Sequence, residues 1–162
     1  MSLSLITDRK KEDVEYLLSL IAKGWGGMTS AEQSAWSAMS LKGAYNYTDF
    51  NRVENAVAYL LPILQSAGYD LDLTTKNTWA VNNDVRVADA ARYLLNIAEI
   101  RRAFTYFSTT PQAPTSLVGL SYAQANDIEQ ILLDCEYLIF KLLQSWFYSG
   151  VLYSGETTTF GI

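Results

Sequence analysis

The sequence predicts a mainly α fold, a helical bundle of about five helices with a short extended or β element around 70–75 and an extended C-terminal tail. Three observations predict it. Apolar residues recur at three- and four-residue spacing along most of the chain. Thr29 with Glu32, and Ser121 with Gln124, have the spacing of capping boxes. Glycines stand where the periodic runs stop, as at Gly24 and Gly68. A chain of 162 residues fits one domain, with residues 1–150 as the helical body and 151–162 as the tail.

The first helix opens near Thr7 or Asp8, and Val14, Leu17, Leu18 and Ile21 form the face expected to be buried. Lys23 then Gly24 ends it, a cation beside the last carbonyls followed by a residue that tolerates positive φ. The second helix is short, with Trp36 and Met39 expected inward, and Gly43–Tyr47 connects it onward. Thr48 is the expected cap of the third helix, whose stripe is Phe50, Val53, Val57, Leu60, Leu61 and Leu64. Pro62 falls inside that stripe and predicts a kink or a break near Leu61.

Asp70-Leu71-Asp72-Leu73 alternates polar and apolar before Thr74-Thr75, the pattern of a short strand. Its partner would be Val151-Leu152-Tyr153 or a neighbouring subunit, because a lone strand is unstable. Asp84 caps a fourth helix from about Val85 to Phe107, with Val87, Ala91, Leu94, Ala98, Ile97, Ile100 and Phe104 expected inward. Asp89/Arg92 and Glu99/Arg102 are the outer pairs, and Pro111 and Pro114 mark a connector. The fifth helix runs to about Tyr148 on the longest stripe: Ile128, Ile131, Leu132, Cys135, Leu138, Ile139, Leu142, Leu143 and Trp146. Asp127, Glu129, Asp134 and Glu136 lie in its first half and Lys141 in its second, as the helix dipole prefers.

Composition narrows the function. Net charge is −5, so a nucleic-acid partner is not expected, since phosphate contacts supply most of that affinity. The basic clusters, Arg9-Lys10-Lys11 and Arg101-Arg102, sit beside acidic residues and read as solvated faces. MSLSLITDRKKED lacks a basic start before a long apolar core, so no signal peptide is expected. Asn46-Tyr47-Thr48 then reads as a chance glycosylation triplet. Ala56–Leu64, the longest apolar stretch, is far short of the ~20 residues of a membrane span, so no membrane partner is expected.

The chain has no histidine, which removes Ser-His-Asp and Cys-His catalysis and the HExxH zinc site. Cys135 lies on an apolar helical face and reads as a structural thiol. Two carboxylates alone can hydrolyse a glycoside. The spacing of the helical phage lysozymes, a glutamate, eight residues and an aspartate, occurs nowhere here. Asp70-Leu71-Asp72 and Asn82-Asn83-Asp84 lack the EF-hand order and read as a strand edge and a helix cap. Gly24-Trp25-Gly26-Gly27 ends a helix rather than opening one, unlike a phosphate loop. The expectation is no catalytic residue, cofactor or metal.

Contact residues are a different matter. Tyr and Trp bring much area at low entropic cost, so they mark protein interfaces and sugar sites. Tyr45, Tyr47, Trp79, Tyr148 and Tyr153, with Leu71 and Leu73 of the expected strand and Leu152 of the tail, are the candidate interaction residues.

The strings LITDRKKEDVEYL, KGWGGMTSAEQSAW, KGAYNYTDFNRVENAVAYL, the Gly68-Tyr69 ending, LSYAQANDIEQIL and YSGE span most of the chain. In that order they resemble a family of small proteins and domains encoded among the structural genes of Firmicutes phages and prophages. The resemblance implies a role in the virion, in the tail, baseplate or another appendage, assembled in the host cytoplasm, with other virion proteins as partners and a homo-oligomer as a natural state. It brings no catalytic residues. The other class to weigh is a carbohydrate- or receptor-binding module, with exposed aromatics stacking on a glycan.

Overall fold

The computed structural model describes residues 3–104 and 106–149, and for 146–149 the backbone alone. Its described residues form five α-helices and no strand: α1 (Lys11–Lys23), α2 (Ser30–Ser37), α3 (Tyr47–Ser66), α4 (Val87–Ala103) and α5 (Tyr122–Ser149). A single 3₁₀ turn, Trp25–Gly27, follows α1.

The core is where α5 packs against both α3 and α4. Val53, Val57, Leu60 and Leu64 of α3 meet Leu94, Ile97 and Ile100 of α4 and Ile128, Ile131, Leu132, Cys135 and Ile139 of α5. Each such side chain, fully buried, contributes about 1.5–3 kcal/mol relative to exposure. The stripes expected of α3 and α5 are thus largely those that face inward.

The cap of α3 lies two residues before Thr48. Asn46 is its cap: the Asn46 carboxamide oxygen accepts from Thr48 N at 2.9 Å, and Asp49 accepts from Asn46 N at 2.8 Å. Pro62 does not break α3, which continues to Ser66 with the proline on its exposed side. Gly68 ends the segment at φ 90°, a left-handed conformation that costs a glycine little.

The element around 70–75 is extended but is not a strand. Two of its carbonyls are met by side chains: Arg92 and Asn96 donate to the Thr74 carbonyl at 2.7 and 2.8 Å, and Gln65 donates to the Leu71 carbonyl at 2.8 Å. Leu71 and Leu73 turn into the core.

α4 starts after Arg86 rather than at Asp84, and ends at Ala103. Its inward arc is Tyr93, Leu94, Asn96, Ile97 and Ile100, while Val87, Ala91 and Ala98 are exposed. Arg92 explains the rotation. It leaves Asp89 and forms a two-pronged pair with Glu54 of α3, at 2.5 and 3.1 Å, which turns this side of α4 towards α3. Glu99 and Arg102 do pair on the outside.

α1 departs most from expectation. It opens at Lys11 because residues 3–10 run extended along α5. Leu3 N meets Glu136 (3.0 Å), Ile6 N meets Glu129 (2.6 Å) and Arg9 N meets Asn126 (3.0 Å), so the strap runs antiparallel to α5. Leu20 is the buried residue of α1, whereas Leu18 and Ile21 are 56% and 55% exposed. Leu17 shares a small cleft with Trp36 and Met39, which places α1 and α2 beside the main core rather than on it.

Candidate interaction surface

The residues that hold the surface in place are charged. Arg9, expected on a solvated face, is 4% exposed and reaches Asp49 at 2.9 Å and Glu129 at 2.6 Å. Arg52 completes the set, bonding Glu129 at 2.8 and 2.9 Å and also Asp49. Two arginines and two carboxylates from the strap, α3 and α5 are therefore neutralised together, which is the condition for burying them. The two anions hold the Arg52 guanidinium firmly protonated, above its ordinary value, against the opposing effect of burial.

Tyr45 sits over this cluster. The Arg9 guanidinium lies 5.5 Å from its ring centroid, and its hydroxyl is 2.5 Å from that of Tyr93. Burial raises both phenols above the usual tyrosine range. Phe50 packs against Tyr45, Tyr93 and Trp79 with ring centroids 5.0–5.4 Å apart. Gly43 lets the preceding loop lie on α1: a Cβ there would meet Asp13 backbone atoms, 2.6 Å from its carbonyl carbon.

Two openings flank Tyr45. The larger, about 480 Å³, is an apolar groove walled by Val14 and Leu18 of α1, Ala44 and Tyr45 of the loop, and Leu120 and Tyr122 at the start of α5. Lys11 and Lys42 also line it. The smaller, about 270 Å³, brings Tyr45, Tyr47 and Trp79 together with Asn46 and Asn83. α1 and the turn after it also expose Tyr16, Ile21 and Trp25, besides Leu18 at the groove wall. A second exposed apolar group, Phe107, Tyr137 and Phe140, lies at the far half of α5.

Of the candidate interaction residues, Tyr45 and Tyr47 are half-buried and line these openings. Leu71, Leu73 and Trp79 are corrected: they are buried in the chain's own core, and only an edge of Trp79 reaches the smaller opening. The Lys76 ammonium covers the Trp79 ring at 3.7 Å. Strand addition at Leu71–Thr75 is likewise without an open edge at Thr74, whose carbonyl is already engaged. The Tyr148 side chain, Leu152 and Tyr153 lie outside the described residues. Leu18 and Ile21 were missed as surface because their spacing is equally that of a buried face.

The carboxylates that come together, Asp49 and Glu129, are both buried and share their arginines. No group of three or more metal-ligating side chains occurs among the described residues. Nor, among them, is any helix long and apolar enough to cross a membrane. Cys135 is buried, and its thiol is pushed up to about 12 by desolvation. No model of a known protein family, no curated protein and no solved structure matches the chain.

Proposed function

We propose that the chain is a non-enzymatic structural or adaptor protein of a bacteriophage particle, placed in the tail, baseplate or another appendage and acting by protein–protein contact. The observation that carries the contact reading is the exposed apolar side of α1 and the turn after it, where Leu18, Ile21 and Trp25 are each more than half exposed next to an apolar groove. Exposed apolar surface gathered on one element marks a binding face more often than chance exposure. The particle itself is supported by the resemblance of the quoted strings.

The glycan-binding reading has one observation in its favour, the cleft that gathers Tyr45, Tyr47, Asn46 and Asn83. It ranks second because the Trp79 ring is covered and the Tyr45 hydroxyl is engaged by Tyr93. The test uses particles released from the producing strain. The protein should co-sediment with them, and Leu18→Lys with Ile21→Lys should fold normally yet be missing from them. Particles without the protein would overturn the proposal. Binding to a glycan array that is lost in Tyr47→Ala would favour the second reading.

A further inference from the structure

We propose that the apolar groove beside Tyr45 receives the Val151-Leu152-Tyr153 segment of a second copy, so that copies join head to tail. The inference rests on the protein-contact reading and names its site and occupant. The groove lies at the N-terminal end of α5, where Leu120 and Tyr122 form one wall. The apolar segment follows the other end of the same helix, beyond Ser149. Between Tyr122 and Ser149 an unbroken α-helix rises about 1.5 Å per residue, roughly 40 Å in all. From Ser149, Tyr153 can reach at most about 14 Å, since an extended chain advances no more than about 3.6 Å per residue. The segment therefore cannot enter the groove of its own chain. A neighbour's groove has no such restriction.

The chemistry is complementary as well as the geometry. The groove is predominantly apolar, with a volume of about 480 Å³, and Val151, Leu152 and Tyr153 offer two aliphatic side chains and one aromatic. Because the two surfaces differ, the contact is heterologous and repeats, closing into a ring or growing as a filament, according to the rotation per copy.

The closing experiment uses two full-length variants and their mixture, with mass read by light scattering. Leu18→Glu spoils the groove at an exposed position, and Leu152→Ser with Tyr153→Ser spoils the segment. Wild type should form assemblies that grow with concentration, and each variant alone should fall to the 18.1 kDa chain mass. Mixed one to one, the variants should give a species of twice that mass that grows no further, because each supplies what the other lacks and neither end can extend. Tyr122→Ser should reproduce the loss if Leu18→Glu misfolds. A wild type that stays monomeric at all concentrations overturns the proposal, as does assembly that survives in Leu18→Glu and Tyr122→Ser. A monomer still incorporated into particles would overturn it while leaving the adaptor reading intact.

Discussion

Glu129 should be the residue on which the fold depends most. It is fully buried and accepts from Arg9 at 2.6 Å, from Arg52 at 2.8 and 2.9 Å, and from Ile6 N at 2.6 Å. Glu129→Gln keeps the shape but removes the charge, and turns an amide N–H₂ towards groups that are themselves donors. Arg9 is left with Asp49, the Ile6 carbonyl and a longer bond to Asn126 as partners. Breaking a buried pair from one side costs about 3–5 kcal/mol. That is a large share of the roughly 5–15 kcal/mol that holds a domain folded. The melting temperature should drop by about 6–20 °C, at roughly 2–4 °C per kcal/mol for a chain of this size. Arg9→Met should cost about as much, because two anions then share Arg52. The double variant Arg9→Met/Glu129→Gln leaves Asp49 facing Arg52, one charge against one, and should cost at least about 2 kcal/mol less than the sum of the single changes. Urea unfolding followed by circular dichroism measures all of these. Single variants within about 1 kcal/mol of wild type, or a double variant that is simply additive, would refute the buried network.

Gly43→Ala should destabilise by about 1–3 kcal/mol or more, because the clash is with α1 backbone rather than a flexible side chain; chemical denaturation reads it. Pro62→Ala should stabilise by up to about 3 kcal/mol, since the exposed proline withholds a helix N–H and crowds the turn before it; a rise in melting temperature is the readout. Tyr45, Tyr93 and Tyr106 have folded values raised above the ordinary 10.0, so the folded state holds their protons more tightly. Their contribution is complete below pH 10 and is lost as pH rises beyond it, so phenolate absorbance from these three should appear together with unfolding. Cys135, buried with its thiol near 12, should resist alkylation in the folded protein and react fully in urea, as intact mass would show.

What could be read in the chain beforehand was the part governed by local rules. The capping boxes at Thr29 and Ser121 form as their spacing requires. Gly24 and Gly68 take the positive φ that ends α1 and α3. The α5 stripe is long enough, at 28 residues, for its period to identify the inward face without help from neighbours. Asn46 competed with Thr48 as a cap, and the outcome depended on Asp49 reaching back to Asn46 N, one residue pattern overlapping another. The Leu71–Leu73 alternation was correct about the buried side and wrong about the ladder: Arg92 and Asn96 from α4 occupy the Thr74 carbonyl that a second strand would have used.

The charged cluster was illegible for a different reason. Arg9, Asp49, Arg52 and Glu129 lie 3, 40, 77 and 120 positions apart in their various pairs, and no local rule relates them. A faint trace did exist: Asn126, Glu129 and Glu136 share a polar stripe beside the apolar one on α5. α1 carries the converse lesson. Its Val14–Leu17–Leu18–Ile21 periodicity states that the helix has an apolar face, but periodicity does not say what covers that face. In α5 the cover is α3 and α4. In α1, Leu20 is sealed by this chain while Leu18 and Ile21 are left out. An amphipathic helix whose stripe is only half used by its own fold has apolar surface left over for another molecule, and on that ground the misread face of α1 is the most informative surface on the protein.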